Sequence, residues 1–347
     1  GARIVAVGLA GELAAQHSAV ETIDAAGCLV VPGLINAHTH GPMALLRGLA
    51  DHLPLVPWLA RMSEASVRIM NPDTVRLGAA LAYAEMIRSG TTAAVEMYFF
   101  PELLAEVAER VGLRLITGPV FMGTARTDRL SPAERLARGR EFLRAYRGHP
   151  LIVPCVVAHS AYSDPPEVLQ QARALATEFG TLLTTHAQET RQEVATVRER
   201  YGRTPIELFD DLGMLSERAV LAHCVHLTPA EIALLAERGA LVAHCPLSNL
   251  KLGAGIAPVP EMLQAGLRVA VGTDGGGSIR IPCSCCGIYG LKPTLGRVAA
   301  APTFGGLEIL SHMGPMTRTV GDAALMLSVI VGADLPPATL ELAQTGR

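Results

Sequence analysis

The chain has 347 residues, half of them hydrophobic, with 18% charged side chains, a formal charge of -3 and a pI near 6.4. Scattered Lys and Arg give no basic face for nucleic acid, and the best apolar run, Ala323 to Ala333, is far short of the ~20 residues that span a membrane. Size is enough for one large α/β barrel plus a remnant, or for two ordinary domains, so a small-molecule partner fits best.

The chain opens at Gly1, inside an expected strand Arg3 to Val7, which reads as a cut start. Residues 1–30, with turn-like Gly8, Gly11 and Gly27, are expected to form short strands, a partial β-sandwich segment outside the main domain. From Ala37 to Asp274 one unit repeats: apolar strand, loop, amphipathic helix, glycine, strand. That alternation predicts parallel strands with helical crossovers. Strands are expected near residues 32–40, 91–98, 113–121, 151–160, 181–187, 219–224, 240–245 and 267–273. This is the number that closes a barrel, so residues 31–275 are assigned as an α/β, (β/α)8 TIM-like barrel. Ser163 and Asp164 are candidate caps for a helix from Pro165 that stops at Gly180. Thr228, Pro229 and Glu231 form a capping box for a helix that stops at Gly239. A tail, 336–347, opens with Pro336 and Pro337 and is expected to be loose. Seven cysteines make an odd number without framework spacing; Cys28, Cys155, Cys224 and Cys245 lie in apolar stretches, which points to reduced thiols and the cytoplasm.

Four of the expected strands end in residues that metals bind: His38 and His40, His186, His223, and Asp274. On a strand, residues two apart share a face, so His38 and His40 of "AHTH" can reach one ion together. Active sites of such barrels are built at the carboxyl ends of the strands, and histidines with a carboxylate there point to a metal-activated water. Asp274, after the apolar "RVAVGT", would otherwise be a costly carboxylate at the mouth of a core. Glu189, three residues past His186, is the candidate general acid/base. Its alternative is a solvated carboxylate at a helix start. His159 and His244 end two further strands; His159 is a candidate substrate contact and His244 a supporting residue.

The strings "VVPGLINAHTHGPMALLRGLADHLPLVPWL", "THAQET", "LAHCVHLT", "VAHCPLSNLKL" and "VAVGTDG" resemble the amidohydrolase superfamily, in its branch of methylthioadenosine/S-adenosylhomocysteine deaminases and triazine hydrolases. The resemblance runs from about Arg3 to Gly275. It implies that His38, His40, His186 and Asp274 hold one divalent ion, usually Zn2+, with Fe2+ or Mn2+ as alternatives. It further implies that Glu189 protonates a ring nitrogen, that Asp274 accepts the proton of the attacking water, and that His223 polarises that water or the leaving group. His159 and Trp58 are implied substrate contacts, and relatives of this kind are commonly homo-oligomers. Two departures stand out. The nucleoside deaminases carry a sugar-binding glutamate after "PWL", where this chain has Ser66 or Val67, with Glu64 slightly early. His52 stands where the family shows an aspartate.

From Gly272 the chain reads "GTDGGGSIRIPCSCCGIYGLKPTLGRV" and then "LSHMGPMTRTVGDAALMLSVIVG", which resembles the amidase signature family over residues 272–335. That resemblance places an acyl nucleophile on Ser278, behind glycine amides able to form an oxyanion nest. The lysine and second serine that would activate it lack an upstream Gly/Ser-rich stretch. Cys283, Cys285 and Cys286 do not have zinc-cluster character, and Arg280 and Lys292 read as structural. A fusion at the shared "GTDG" is the simplest account, making 276–335 a foreign C-terminal segment beside an incomplete barrel, with a helix from Val320 to Val331. Strand and helix faces without partners forfeit burial worth ~25 cal/mol per Å², so marginal stability is expected. The alternatives to a metal aminohydrolase are a serine amidase and an inactive hybrid that only binds metal.

Overall fold

The computed structural model describes residues 4–25, 30–50, 53, 55–123 and 127–275, together with the two-residue antiparallel strands Tyr289–Gly290 and Met316–Thr317. Ser278, Arg280, Cys28, Cys283, Cys285, Cys286, Lys292, His52, the expected helix Val320 to Val331 and the tail from Pro336 lie outside the described residues. The chain divides into two units, Gly1–Gly33 and Leu34–Arg347.

In the first unit the regular element among the described residues is a helix, Ala10–Gln16, in place of the short strands read from the sequence. Its segment, AGELAAQ, is rich in good helix formers, and Gly11, taken as a turn, lies inside it. Ile4, Val5 and Val7 are exposed and unpaired, because a strand exists only when a neighbour accepts and donates its backbone hydrogen bonds.

The second unit is a ring of parallel strands: β1 (Leu34–Thr39), β2 (Thr91–Glu96), β3 (Arg114–Thr117), β4 (Val120–Phe121), β5 (Ile152–Ser160), β6 (Leu182–Ala187), β7 (Ala219–His223), β8 (Leu241–His244) and β9 (Arg268–Val271). The hydrogen-bonded order is β1-β2-β3-β5-β6-β7-β8-β9, with β4, a short continuation of the third barrel strand, pairing with β5. All eight expected strands are present. The ring closes where the amides of Thr273 and Asp274 both donate to the carbonyl of His38 at 3.0 Å. Gly272 makes this possible, since a Cβ there would lie 2.9 Å from the His38 Cβ and 3.0 Å from the Cys245 sulfur. No helix of the described residues is long and apolar enough to cross a membrane.

Apolar runs rather than strict alternation mark these strands because helices cover the outside while side chains fill the inside; all five residues of β7 are buried. The shell between strands and helices holds Tyr83, Met86, Leu104, Leu115, Ile152, Leu169, Leu175, Leu221 and Leu235. The helix Pro229–Glu237 has the expected capping box from Thr228 and Glu231, and the helix Pro166–Phe179 ends at Gly180 in the left-handed region. Ser163 and Asp164 do not cap that helix, whose N-cap is Pro165 without a side-chain bond. Their side chains turn inward instead, towards β5.

Candidate metal centre

His38, His40, His159, His186, Glu189, His223 and Asp274 all sit at or beside the carboxyl end of the ring. β1 delivers His38 from its last turn of pleat and His40 just beyond it, β6 delivers His186, β7 ends in His223, and Asp274 follows β9. Gln188, His223, Cys224 and Asp274 have φ of 48°, 74°, 48° and 55°. A non-glycine residue in that region costs on the order of 1 kcal/mol or more, so the strain is concentrated where the strands hand over to the site loops.

His38 Nε2 lies 3.0 Å and His40 Nε2 3.1 Å from the same oxygen, Asp274 Oδ1. His40 Nδ1 donates to the Met97 carbonyl at 2.6 Å, and His186 Nδ1 donates to the His159 carbonyl at 2.9 Å. With those protons committed, Nε2 is the nitrogen that each ring turns to the site, and the two face each other at 3.3 Å. Two imidazole nitrogens and a carboxylate oxygen converging in a buried space are the donor types that a divalent cation takes. A tetrahedral ion with bonds of ~2.0–2.1 Å separates its ligand atoms by ~3.3 Å, close to the spacings seen. One ligand atom from each of His38, His40, His186 and Asp274 lies within 4.8 Å of the others, so this donor set fits a single divalent ion.

Electrostatics follow from burial and partners. Burial holds the His38 imidazole down at about 4 and the His159 imidazole at about 3. Burial also pulls on His40, but Asp274, the Met97 carbonyl and Glu96 outweigh it and raise that group to about 9. Burial alone would raise Asp274; the neighbouring His223 charge and the hydrogen bonds of His38 and His40 hold it well below the usual carboxylate range instead. Ser248 donates to its second oxygen at 2.5 Å.

Glu189 is 5% exposed, so it is not a solvated helix-start carboxylate; the following helix, Arg191–Tyr201, is capped by Thr190. Burial raises its pKa, and its Oε1 is buried without a hydrogen-bond partner, 3.8 Å from His223 Nδ1. His223 Nδ1 donates to Asn249 Oδ1 at 2.8 Å, which leaves Nε2 as the free ring nitrogen. Glu189, His223 and Asp274 also offer ligand atoms within 4.8 Å of one another, so proton-handling groups border the ion site directly.

A cavity of about 180 Å³ opens over this centre, lined by His40, His159, His186, Glu189, His223 and Asp274 on its floor. Its walls are Leu55, Trp58, Leu59, Met62, Tyr98, Phe99 and Met122, together with Ser66 and Val67. Glu64 points away: its side chain is 55% exposed and pairs with Arg61. His244 is half-buried, and its carbonyl accepts the Gly272 amide at 2.8 Å, which suits a supporting part at the closing strands.

Several residues that the sequence did not single out complete the site. Glu96 ends β2 and accepts the Gly41 amide with both oxygens at 3.0 Å, while Tyr83 donates to it at 3.3 Å; this clamp sets the backbone just after His40. Glu193 accepts the amides of Gln188 at 3.2 Å and Glu189 at 2.7 Å, shaping the loop that presents Glu189. A carboxylate three or four residues into a helix was the available signal for Glu193; Glu96 had none beyond its place at a strand end. Burial pushes Glu193 up to about 7, above the ~4.3 of an unfolded glutamate. The folded state therefore binds this proton more tightly, and the stabilisation it confers, full below about pH 4, is lost as pH rises through about 7. Urea unfolding of Glu193→Gln should show a smaller loss of stability from about pH 5 to about pH 8 than the parent chain shows.

A parallel ring with imidazoles and a carboxylate gathered at the carboxyl ends of its strands defines a barrel built to bind a metal ion and handle protons beside it. The amidohydrolase family model matches residues 29–307, and the chain belongs to that family. The match passes beyond Gly275, where the resemblance read from the motifs ended. A 5-methylthioadenosine/S-adenosylhomocysteine deaminase of Syntrophobacter fumaroxidans is 43% identical over 273 residues, covering 78% of this chain and 62% of that protein. The crystal structure of an adenosine deaminase from Xanthomonas campestris with bound zinc superposes with a TM-score of 0.69 at 39% identity, over 73% of this chain and 56% of that one. An atrazine chlorohydrolase from Arthrobacter aurescens, complexed with zinc, shares the fold at a TM-score of 0.66 and 24% identity, over 72% of this chain and 62% of its own. The chain spans about three fifths of the length of the curated relatives it matches.

Proposed function

We propose that the protein is a metal-dependent aminohydrolase that releases ammonia, or a similar leaving group, from a ring carbon of a purine-like or triazine-like substrate. The observation that carries this reading is the pair of imidazole nitrogens, His40 Nε2 and His186 Nε2, turned on each other beside Asp274 Oδ1. His38, His40, His186 and Asp274 would hold one divalent ion. Zinc is supported by the neighbouring deaminase solved with zinc, and Fe2+ or Mn2+ accept the same donors. Bound there, such an ion supplies a Lewis acid that brings the pKa of water towards neutrality.

The chain's own residues then divide the proton work. Asp274, kept ionised by the surrounding imidazoles, takes the proton of the attacking water. Glu189, whose raised pKa keeps a proton available, gives it to a ring nitrogen and so lets the ring carbon accept the nucleophile. His223 orients the water or the leaving group through Nε2, its ring fixed by Asn249. Trp58, Tyr98 and Phe99 flank a flat ring, and His159 contacts it from the floor. Substrates without a sugar diol are favoured by Ser66 and Val67 on the wall.

The domain reading proposed is a 1–30 segment, a 31–275 barrel, a 276–335 segment similar to the amidase signature family and a 336–347 tail. Ser278 is the alternative nucleophile of that segment. The three buried thiols Cys155, Cys224 and Cys245 support a reducing, cytoplasmic setting, and a homo-oligomer is proposed from the family resemblance. The test is ammonia release from a panel of aminopurines and aminotriazines by zinc-loaded protein. Chelation should abolish turnover and restored Zn2+ should recover it, while Ser278→Ala leaves it unchanged. Turnover that survives the chelator but not Ser278→Ala would assign the chemistry to the serine; metal-loaded protein inactive on the whole panel would leave the hybrid that only binds metal.

A further inference from the structure

Asp164 is a carboxylate that the proposed chemistry does not use, yet it is 1% exposed and lies just behind the cavity floor. Its Oδ1 accepts the Gly123 amide at 2.8 Å; its Oδ2 accepts the His159 amide at 2.9 Å and the Ser160 amide at 3.3 Å. One side chain thus ties the loop after β4, which carries Met122 of the cavity wall, to the end of β5. Its neighbour Ser163 meets His159 Nδ1 at 2.8 Å, and Ser160 Oγ, 3.1 Å from that nitrogen and 2.8 Å from Ser163 Oγ, completes a hydroxyl pair against the ring.

His159 has two outlets. Its ring lines the cavity, and its carbonyl accepts the Nδ1 proton of His186, the bond that turns His186 Nε2 towards His40. Whatever fixes the His159 peptide therefore sets both a substrate contact and the aim of a metal ligand. We infer that Asp164, together with Ser163, is the positioning device of the site: Asp164 holds the His159 backbone and through it His186, and Ser163 holds the His159 ring. This inference rests on the aminohydrolase reading for its substrate half only.

Asp164→Asn keeps the size but replaces one acceptor oxygen with an N–H donor, while three backbone donors still converge on the group. The variant should raise KM about tenfold with kcat within about threefold in zinc-saturated protein, and weaken Zn2+ binding, read by competition with a chromophoric chelator, by ~10-fold or more. Ser163→Ala should raise KM several-fold and leave Zn2+ affinity unchanged, a split that general loosening of the fold would not give. Wild-type KM and wild-type Zn2+ affinity in Asp164→Asn would overturn the inference. Should that variant not fold, a wild-type KM in Ser163→Ala overturns it instead. If the parent chain turns over none of the ring amines, the aminohydrolase reading fails while the chelator competition still decides the role of Asp164.

Discussion

Replacing His186 with alanine is expected to lower Zn2+ affinity by more than ~100-fold and to reduce ammonia release by ~10³-fold or more at stoichiometric metal. The size of the effect follows from where the side chain stands. His186 Nε2 faces His40 Nε2 at 3.3 Å, and its other nitrogen is spent on the His159 carbonyl, so the ring is fixed with one nitrogen aimed at the site. With the imidazole gone, His38, His40 and Asp274 remain on one side of the site only. The measurement is metal content after dialysis against a buffered zinc concentration, alongside initial rates. A His186→Ala protein that retains one tightly held ion and near-parental turnover would remove the metal centre from the explanation. Circular dichroism should stay unchanged, because β6 is held by backbone pairing to β5 and β7 rather than by this ring.

Glu189→Gln is expected to cut kcat by ~10²–10⁴-fold while leaving Zn2+ stoichiometry at one and changing KM little. The carboxyl group has its Oε1 buried without a partner, at the cavity floor and 3.8 Å from His223 Nδ1, so its proton is available to a bound ring and to little else. A glutamine fills the same space and keeps the hydrogen bond that the residue 189 backbone amide donates to the Glu193 carboxylate. Loss of turnover with intact metal binding would separate proton delivery from metal activation; an unimpaired Glu189→Gln enzyme would mean that another group protonates the substrate.

The strands and the metal ligands were legible because both depend on short-range pattern. Apolar runs at regular spacing, each followed by an amphipathic helix and a glycine, lead to all eight strands, and histidines two apart at the end of such a run identify a shared face. The first unit was misread, since an apolar run such as residues 4–7 forms a strand only if a partner exists, and the adjacent AGELAAQ favours helix on local propensity. Asp164 was misassigned for a related reason: an Asp just before a Pro-led helix has the sequence signature of a cap. Three amides, one from the loop after β4 and two from the end of β5, converge on it instead, and hydrogen bonds to a charged acceptor outweigh an empty cap position.

By itself the amino-acid order determines the alternation of strand and helix, the period that puts His38 and His40 on one face, and the apolar stretches that end in His186, His223 and Asp274. Only the closed ring decides that Asp274 meets His38 and His40 across 236 and 234 positions of chain, that Glu96 and Glu193 clamp the loops beside them, and that Asp164 looks inward. The physical reason is range: propensity and periodicity act over a few residues, whereas a buried polar atom takes whichever partner the packed barrel brings within about 3 Å, however far away it lies along the chain.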